Sequence, residues 1–583
     1  MSNDASWNPV PPAGFRRDSC CGPGAFRVIG QGEMGAKAQG IARVMEAVHR
    51  DAAPFLEKGL RFFIPPFTVI ASDHFDRFLS QNGLAGATLE GVPDQEIARA
   101  FGRATLPAEL MRDLEVFAAG VRVPLAVRSS SLLEDSISVP FAGVYETRLI
   151  PNRHPDAGVR LARLAHAVKQ VYASTFLSGA REYLKAAGHS SADEKMAVLL
   201  QEAVGTAHGD RFYPHISGVA RSFNFYPLGL ARPEDGLGAL ALGLGRAISL
   251  DGVAWSYSLA YPHTNPPYNT PQDLLRNSQR EFWAVDLSGS RDGSPAEDGD
   301  SLRKWSLEEA EKDGVLDFIA STYDADNDRF VPGTSHRGPR LIDFALILKS
   351  GVVPLTDLLR QMLARSEEVL GTEVEVEFAM TSPSADPLPA DFGLLQVRPM
   401  AVSQARVEVD LANLIMEDAL VASESVLGNG AIDTIRDVVY VRPDRFSTDR
   451  TRAIRQDLEE INRALVADRI PYLLIGFGRW GSSDASAGIP VAFGQISGAR
   501  VIVEATWHDL PFMLSQGTHF FHNITGFKVL YFSVDQEGRY RIDWEWLASQ
   551  SAVTETAQVR HVRLLRPLRV MVDGRRSHGV ILK

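Results

Sequence analysis

Positively charged side chains stand beside glycine- or serine-rich turns at two places in the N-terminal part of the chain. Lys37 follows the glycine-rich loop GQGEMGAKAQG, and Arg128 leaves the apolar run PLAV to enter a serine run with Ser129 and Ser130. A guanidinium binds phosphate through two parallel hydrogen bonds, and hydroxyl groups complete such a cradle. Both patterns predict anion binding. The alternatives are a solvated lysine at a helix N-terminus and an ordinary serine-rich loop; the lysine spacing differs from the GxxxxGK[ST] pattern of P-loop NTPases.

Carboxylates follow one another at every second position of a later strand-like segment. Alternation along a strand places Glu373, Glu375 and Glu377 on one face, and Gln396 and Arg398 share a face of the next predicted strand. Neighbouring carboxylates repel each other unless a cation or water separates them. A patch of carboxylates, an amide and a guanidinium suits Mg²⁺ together with a phosphate group. The alternative is a solvated edge strand.

Glycines in a third region would allow a ligand to approach the backbone closely. Gly218 lies in ISGVARSFNFYP, and Gly243 and Gly245 lie in LGLGRAISLDG. Taken alone, these residues are better explained as ordinary turn glycines.

The elements that must position these residues divide the chain into modules of mixed α/β type. We expect a lead-in over residues 1–25, a first unit over 26–200, a second over 201–401, a linker over 402–415 and a C-terminal α/β unit over 416–583. The spacing of apolar residues predicts helices over 42–59, 159–188 and 450–467, the second of them ending at Gly188. The segments PLAVRSS, EVEVEFAM and FGLLQVRPM are predicted strands.

Composition restricts the class of protein. The 583 residues carry a formal net charge of −12, which gives bulk electrostatics no support for nucleic acid as a partner. The two cysteines, Cys20 and Cys21, are adjacent and indicate a reducing compartment without a disulfide framework. The N-terminus lacks a signal-peptide pattern, and no apolar stretch is long enough to span a membrane. We therefore expect a cytoplasmic enzyme with no membrane or nucleic-acid partner.

Several motifs, taken together and in order, resemble those of the pyruvate phosphate dikinase / phosphoenolpyruvate synthase family. AVRSS…EDS…FAGVYET is similar to VRSSxxxED…SFAGxxET, LLQVRP to ilQxRP, VEVEFAM to DIEWA, and ISGVA to SGVaFT. The resemblance covers residues 26–401. It implies an ATP-grasp fold with ATP between two subdomains. It also implies that Lys37, Arg128 and Arg398 contact phosphates.

On the metal side, the same resemblance assigns Glu375, Glu377 and Gln396 to Mg²⁺. Glu375 stands where the family usually has Asp, and the extra methylene shifts the geometry of metal ligation. ISGVARSFNFYP departs from SGVaFTxxP by an insertion, which affects the phosphate contacts expected there.

The C-terminal part departs from this family. Its members pass a phosphoryl group to a histidine in a motif like TxHAAI, which is absent after Pro399, and the roughly 180 residues that follow are fewer than the roughly 250 of a pyruvate-binding barrel. Instead, GFGRWGSSD offers Arg479 for an anion, and GTHFFHN offers His519 and His522. Imidazole is a good nucleophile toward phosphorus, so we predict that one of these histidines accepts the phosphoryl group or activates the acceptor. The alternative is a histidine packed among phenylalanines.

Three functions fit these residues. The first is an ATP-dependent phosphotransferase with an unidentified small-molecule or protein acceptor. The second is an ATP-grasp ligase that forms an acyl-phosphate, and the third is a non-catalytic nucleotide-binding regulatory module. The phosphate-binding residues would look alike in all three, whereas a dikinase-type step yields AMP and a ligase or simple kinase yields ADP.

Overall fold

A computed structural model describes residues 26–583, except 85–88, 90, 133–144, 187–193, 225–229, 249–253, 265–270, 277, 289–300, 383–385, 401–406, 413, 483–487 and 508–528. The described residues form helices interspersed among several mixed sheets, which confirms the predicted α/β class. No helix in this part of the chain combines the length and the apolarity that a membrane crossing requires.

The first sheet has five strands, in the order β1-β3-β6-β4-β5. Their bounds are β1 Phe26–Ile29, β3 Phe67–Ile70, β4 Leu125–Ser131, β5 Thr147–Ile150 and β6 Met196–Glu202. Helices cover both faces, so the central strand β6 is apolar at consecutive positions instead of alternating. Val198 and Leu200 pack in one apolar cluster, and Ala197 and Leu199 pack in another beneath the first helix.

Six helices surround this sheet, and one predicted helix is divided. They are α1 Ala36–Glu57, α2 Ser72–Asn82, α3 Asp94–Arg103, α4 Ala108–Gly120, α5 Ala157–Ser174 and α6 Ser178–Ala186. The prediction of one helix over 159–188 is wrong because the chain turns between α5 and α6. Phe176 in this turn is buried against Phe75 and Phe101, and this tertiary packing overrides the helical pattern. Gly188, the predicted end, lies outside the described residues.

The second sheet has six strands, in the order β11-β10-β9-β17-β18-β2. Their bounds are β2 Leu60–Phe63, β9 Ile216–Arg221, β10 Leu237–Ala241, β11 Trp255–Ser258, β17 Val374–Thr381 and β18 Ala390–Pro399. The predicted strand pair is confirmed: β17 and β18 are antiparallel neighbours. The edge strand β2 comes from far upstream and pairs in parallel with β18, and α1 packs on helix α10, Leu355–Leu370.

Two smaller sheets and three short helices adjoin the second sheet. One sheet contains β7 Thr206–His208, β8 Arg211–Tyr213, β12 Glu281–Asp286 and β13 Leu302–Ser306, and the other contains β14 Ala320–Asp324, β15 Arg329–Pro332 and β16 Arg340–Ile342. The helices are α7 Pro271–Arg276, α8 Leu307–Lys312 and α9 Ala345–Leu348. Their buried side chains join those of the six-stranded sheet in one apolar cluster.

The described part of the C-terminal sheet has nine strands. They are β19 Ala419–Ser423, β20 Val426–Leu427, β21 Gly430–Val441, β22 Tyr472–Phe477, β25 Ala499–Ala505, β26 Leu530–Val534, β27 Ala552–Glu555, β28 Val559–Asp573 and β29 His578–Leu582. Strands β21, β22, β25 and β26 lie side by side in this order and run parallel. The predicted helix at 450–467 is present as α11, Thr451–Ala467, and a short helix α12 spans Trp544–Ser549. A two-stranded sheet, β23 Arg479–Trp480 with β24 Gly488–Ile489, adjoins them.

Candidate functional site

A cavity of about 520 Å³ lies between the five-stranded and the six-stranded sheets. Seven residues predicted from sequence line it: Lys37, Arg128, Gly218, Gly245, Glu377, Gln396 and Arg398. They come from positions more than 300 residues apart in the chain, and the strand pairing described above brings them together. Three other predicted residues, Ser129, Ser130 and Glu375, are buried next to this lining without forming part of it.

The glycine-rich loop before α1 is held by the start of α2. Asp73 Oδ1 accepts hydrogen bonds from the N–H groups of residues 31 and 32 (3.1 and 3.0 Å), and Ser72 Oγ accepts from that of Glu33 (3.0 Å). These donors are therefore occupied by protein groups. Lys37, in the first turn of α1, reaches the cavity with its side chain, and the loop before it does not form the cradle of backbone N–H groups that a glycine-rich sequence can form.

Ser129 and Ser130 fix the position of Lys37. Lys37 Nζ donates to Ser129 Oγ (3.2 Å), and the Ser130 hydroxyl donates to Met34 O (2.9 Å). Gly35, with φ of +74°, packs so tightly on Ser130 that a Cβ would lie 1.6 Å from its carbonyl oxygen. The glycine is required here because both the backbone conformation and the close approach exclude a side chain.

Arg128 connects the two sheets. From β4, its Nη2 donates to Glu377 Oε2 on β17 (2.9 Å) and to Gln396 Oε1 on β18 (2.6 Å). Its Nη1 donates to Gln201 Oε1 (3.1 Å) and to the carbonyl oxygen of Leu395 (3.2 Å). Arg128 is only 9% exposed and lines the cavity. It therefore places a fixed positive charge beside a carboxylate and an amide oxygen.

Glu375 forms a buried ion triad with two arginines. It pairs in register with Arg398 across β17 and β18 and with Arg221 across β17 and β9. Its carboxylate accepts from Arg398 Nε (2.8 Å) and from Arg221 Nε (2.5 Å), and its side chain is 2% exposed. Its contacts orient Arg398 toward the cavity, whereas its neighbour Glu377, with a side chain 31% exposed, lies in the lining itself.

Gly218 makes room for an aromatic ring. A Cβ at this position would lie 2.1 Å from the ring of Phe378, the residue paired with Gly218 across β9 and β17. Phe378 in turn stacks on Phe392 at 4.9 Å between ring centroids. The lack of a side chain at Gly218 thus sets the wall of the cavity through Phe378.

Several lining residues were missed from the sequence. Gln201 and Glu202 end the apolar strand β6, and burial raises the pKa of the Glu202 carboxyl. Arg246 also lines the cavity, with its guanidinium 4.6 Å from the centroid of the Trp283 ring. Polar residues that end a buried strand, and an arginine within a glycine-rich segment, were the available signals.

Much of the remaining lining is apolar. The volume of the cavity falls in the range of small-molecule binding sites, which combine apolar walls with a few polar groups. The larger apolar members include Leu149, Val204, Val219, Leu244, Ile248, Leu302, Phe378 and Leu395. The cavity therefore offers apolar surface for a planar group together with cations for an anion.

The polar lining also fits a metal ion that brings its own ligands. In the described residues no group of three or more His, Cys, Asp or Glu could hold a metal by itself. Glu377 and Gln396 supply two oxygen ligands side by side. Mg²⁺ is commonly bound by one or two protein carboxylates together with phosphate oxygens and water, so these residues fit Mg²⁺ in company with a phosphate.

Of the three residues predicted in the C-terminal unit, the structure describes Arg479, which is not part of this cavity lining. Arg479 begins β23, directly after the turn that follows β22. Its Nε is buried without a hydrogen-bond partner in the described part of the chain. His519 and His522 lie outside the described residues.

The sequence is similar to known proteins over the part of the chain that forms this cavity. Over 182 residues, 28% of this chain and 18% of the relative, the sequence is 28% identical to the rifampicin phosphotransferase of Streptomyces sviceus. The matched segment is thus less than a fifth of that relative's length. A family model described as "pyruvate phosphate dikinase, AMP/ATP-binding domain" matches residues 32–419, about two thirds of the chain. This match supports ATP binding and an ATP-grasp-like fold. The chain belongs to the pyruvate phosphate dikinase AMP/ATP-binding domain family.

Proposed function

We propose that this chain is an ATP-dependent phosphotransferase that binds Mg-ATP in the cavity between the five- and six-stranded sheets. One observation carries the proposal: Lys37, Arg128 and Arg398, from three separate segments, line one cavity together with Glu377. The triphosphate of ATP has about four negative charges and needs several cationic donors held in place before it binds. Serine, glutamine and glutamate side chains already hold these cations.

The polar residues predicted from sequence fall into three groups by their proposed roles. Lys37, Arg128 and Arg398 bind phosphate oxygens, while Glu377 and Gln396 form the metal side of the site. When bound, Mg²⁺ neutralises charge on the phosphates. Glu375 is proposed as a positioning residue that orients Arg398, in place of the metal-ligand role suggested by the family pattern. This assignment rests on its 2% exposure and its two arginine partners.

The serines and Gly218 have positioning roles in this proposal. Ser129 and Ser130 hold Lys37 and its loop, as their hydrogen bonds indicate. Gly218 lets Phe378 form one wall. The apolar lining receives the nucleobase, because a planar aromatic group is favourably transferred from water to such a surface.

The proposed domain organisation follows the nucleotide site. Residues 26–200 and 201–401 form the two sides of the cavity, with β2 as a strand that the first unit contributes to the sheet of the second. Residues 416–583, after a linker over 402–415, bind the acceptor. The proposed acceptor chemistry involves Arg479 and either His519 or His522, on the chemical grounds that a guanidinium holds a phosphoryl group and a neutral imidazole attacks it.

The nucleotide site is tested through the dependence of ATP affinity on Mg²⁺. Isothermal titration calorimetry with ATP, in Mg²⁺ and in EDTA, is compared for the parent protein, Glu377→Gln and Glu373→Gln. Glu377→Gln keeps an acceptor for Arg128 but loses the charge, so we expect it to abolish most of the gain in affinity that Mg²⁺ gives. Glu373 precedes β17 and does not line the cavity, which makes it the matched control. Equal Mg²⁺ dependence in all three proteins would refute the assignment.

The reaction is tested separately by its products. Phosphorus NMR after incubation with Mg-ATP distinguishes AMP plus phosphate, expected of a dikinase-type step, from ADP. A phosphohistidine is recognised as an acid-labile, base-stable protein phosphate that disappears in His519→Ala or His522→Ala. ATP binding without any product, with and without cell extract, would leave a nucleotide-binding module and would rule out the phosphotransferase.

A further inference from the structure

The C-terminal unit contains a second cavity, of about 480 Å³, at one edge of its nine-stranded sheet. Its lining includes residues at or just beyond the carboxyl ends of the four parallel strands: Pro443 after β21, Phe477 at the end of β22, Thr506 and Trp507 after β25, and Asp535 to Glu537 after β26. Ligands of open α/β sheets bind in the crevice outside the carboxyl ends of such strands. The position of this crevice therefore marks it as a ligand site by fold geometry alone.

Aromatic rings form one side of the crevice. Phe477 lies at the centre, with the ring centroid of Trp507 at 4.8 Å in an edge-on arrangement and that of Trp544 at 5.4 Å in a stacked one. Trp507 also contacts Phe446 at 5.2 Å. The indoles are partly exposed while Phe477 is buried, so the cluster presents tryptophan surface to the cavity. The negative face of an indole ring attracts cations, and most strongly those with little hydration.

The polar side of the crevice is acidic. Its described lining contains two carboxylates, those of Asp535 and Glu537, and one guanidinium, that of Arg541. The Oδ1 of Asp535 accepts hydrogen bonds from the Thr506 hydroxyl (3.2 Å) and from the N–H of Glu537 (3.0 Å), which fixes the carboxylate beside the aromatic rings. A fixed carboxylate next to indole surface disfavours an anionic occupant and favours a positive one.

One donor in this lining has no acceptor among the residues that the structure describes. Gln536 accepts from Trp544 Nε1 through its Oε1 (3.2 Å), whereas its buried Nε2 has no hydrogen-bond partner within the described residues. Buried donors are nearly always bonded, so an exception in a ligand-sized cavity indicates that an oxygen of the ligand completes it.

We propose that this crevice binds a small organic cation that also carries a hydroxyl oxygen, the chemistry of an amino alcohol. Its ammonium group lies between the indoles and Asp535, and its oxygen accepts from Gln536. The site is separate from the ATP cavity, with which it shares no lining residue, and the proposal stands whether or not the chain transfers a phosphoryl group.

Choline is the probe, and 3,3-dimethylbutan-1-ol is its uncharged carbon isostere. Binding of each to the full chain is followed by calorimetry and by tryptophan fluorescence. We expect saturable choline binding, with the isostere at least tenfold weaker, because cation–π and carboxylate contacts act only on the charged probe. Equal affinity for the two probes, or no saturable binding of choline, would overturn the proposal.

Two variants localise the site. Asp535→Asn removes the charge on a surface-exposed side chain, and Trp507→Leu removes one aromatic wall. We expect each to weaken choline binding about tenfold or more. Asp433→Asn changes an exposed carboxylate on β21 outside the crevice and should bind choline like the parent. Because Asp535 lies at the surface, its variant remains informative even if Trp507→Leu fails to fold. Parent-like affinity in Asp535→Asn would contradict the assignment of the cation to this crevice.

Discussion

Replacement of Arg128 by lysine tests the nucleotide site most directly, because it keeps the charge and changes only the geometry. Arg128 uses two terminal nitrogens to reach four acceptors, which belong to Gln201, Leu395, Glu377 and Gln396. A lysine has a single nitrogen and cannot reach acceptors on both sides at once. The variant therefore leaves a positive charge in the cavity but loses the fork that fixes it between the two sheets.

The size of the effect follows from the hydrogen bonds that a lysine cannot make. A hydrogen bond to a charged group contributes about 1.5–3 kcal/mol, so a displaced charge that loses one hydrogen bond to a phosphate oxygen should weaken ATP binding roughly 10- to 150-fold. Inside the protein, at least one buried acceptor among the four loses its donor, which costs about 1–3 kcal/mol of unfolding free energy.

Two measurements separate these effects. Calorimetry with Mg-ATP gives the dissociation constant, and urea unfolding gives the stability. Arg211→Lys is the control, since Arg211 forms a bidentate pair with Asp313 (3.1 and 2.7 Å) away from the cavity. It should lose stability and keep its ATP affinity. An Arg128→Lys protein that is folded and binds Mg-ATP within about threefold of the parent would refute the role given to the guanidinium.

Three further outcomes concern stability. Gly218→Ala should lower the free energy of unfolding in urea by about 1–3 kcal/mol, because the new methyl group displaces the Phe378 ring. The control Gly102→Ala lies in a helix, with nothing within 4 Å of the added Cβ, and should be neutral or stabilising. Equal effects of the two changes would contradict this packing argument. Glu375→Gln should cost about 3–5 kcal/mol, since it leaves two buried guanidiniums without their carboxylate, and a loss below about 1 kcal/mol in the same assay would show that water replaces it. Burial lowers the pKa of His215 to about 4 in the folded protein, whereas the ordinary pKa of histidine is 6.5. Between these two pH values the unfolded chain binds a proton at this histidine and the folded protein does not. The free energy of unfolding should therefore fall by up to about 3 kcal/mol as the pH drops from 6.5 to 4. His215→Asn should reduce this dependence of stability on pH. An unchanged pH dependence in the variant would show that other groups cause it.

Local pattern was sufficient to predict helix α11, the strand pair β17 and β18, and the polar residues that this pair gives to the cavity lining. Alternation along EVEVEF put Glu375 and Glu377 on one face, and alternation along LLQVRP did the same for Gln396 and Arg398. The antiparallel register of β17 and β18 then pairs Glu377 with Gln396 and Glu375 with Arg398. This works because the side-chain period of a strand is fixed and needs no knowledge of the rest of the fold.

The functions of individual side chains depended on partners that local pattern does not contain. Glu375 is an ion-pair residue because β9 brings Arg221 to its other side, and no spacing within EVEVEF specifies that third strand. Gln201 was missed for the same reason: its partner Arg128 lies on a neighbouring strand of another segment. The break between α5 and α6 likewise results from the burial of Phe176 in a tertiary cluster, which helical periodicity does not encode.

The pairing of β2 with β18 has a consequence for synthesis of the chain on the ribosome. Arg61 and Asp391, which form a bidentate contact across these strands, are 330 residues apart. At about 5–20 residues per second, roughly 15–65 s of translation separate the two strands. During this interval the apolar side chains of residues 60–63 have no partner strand, and the six-stranded sheet cannot be completed. Chaperone binding to nascent chains should therefore concentrate on this segment and end once residue 393 has left the exit tunnel.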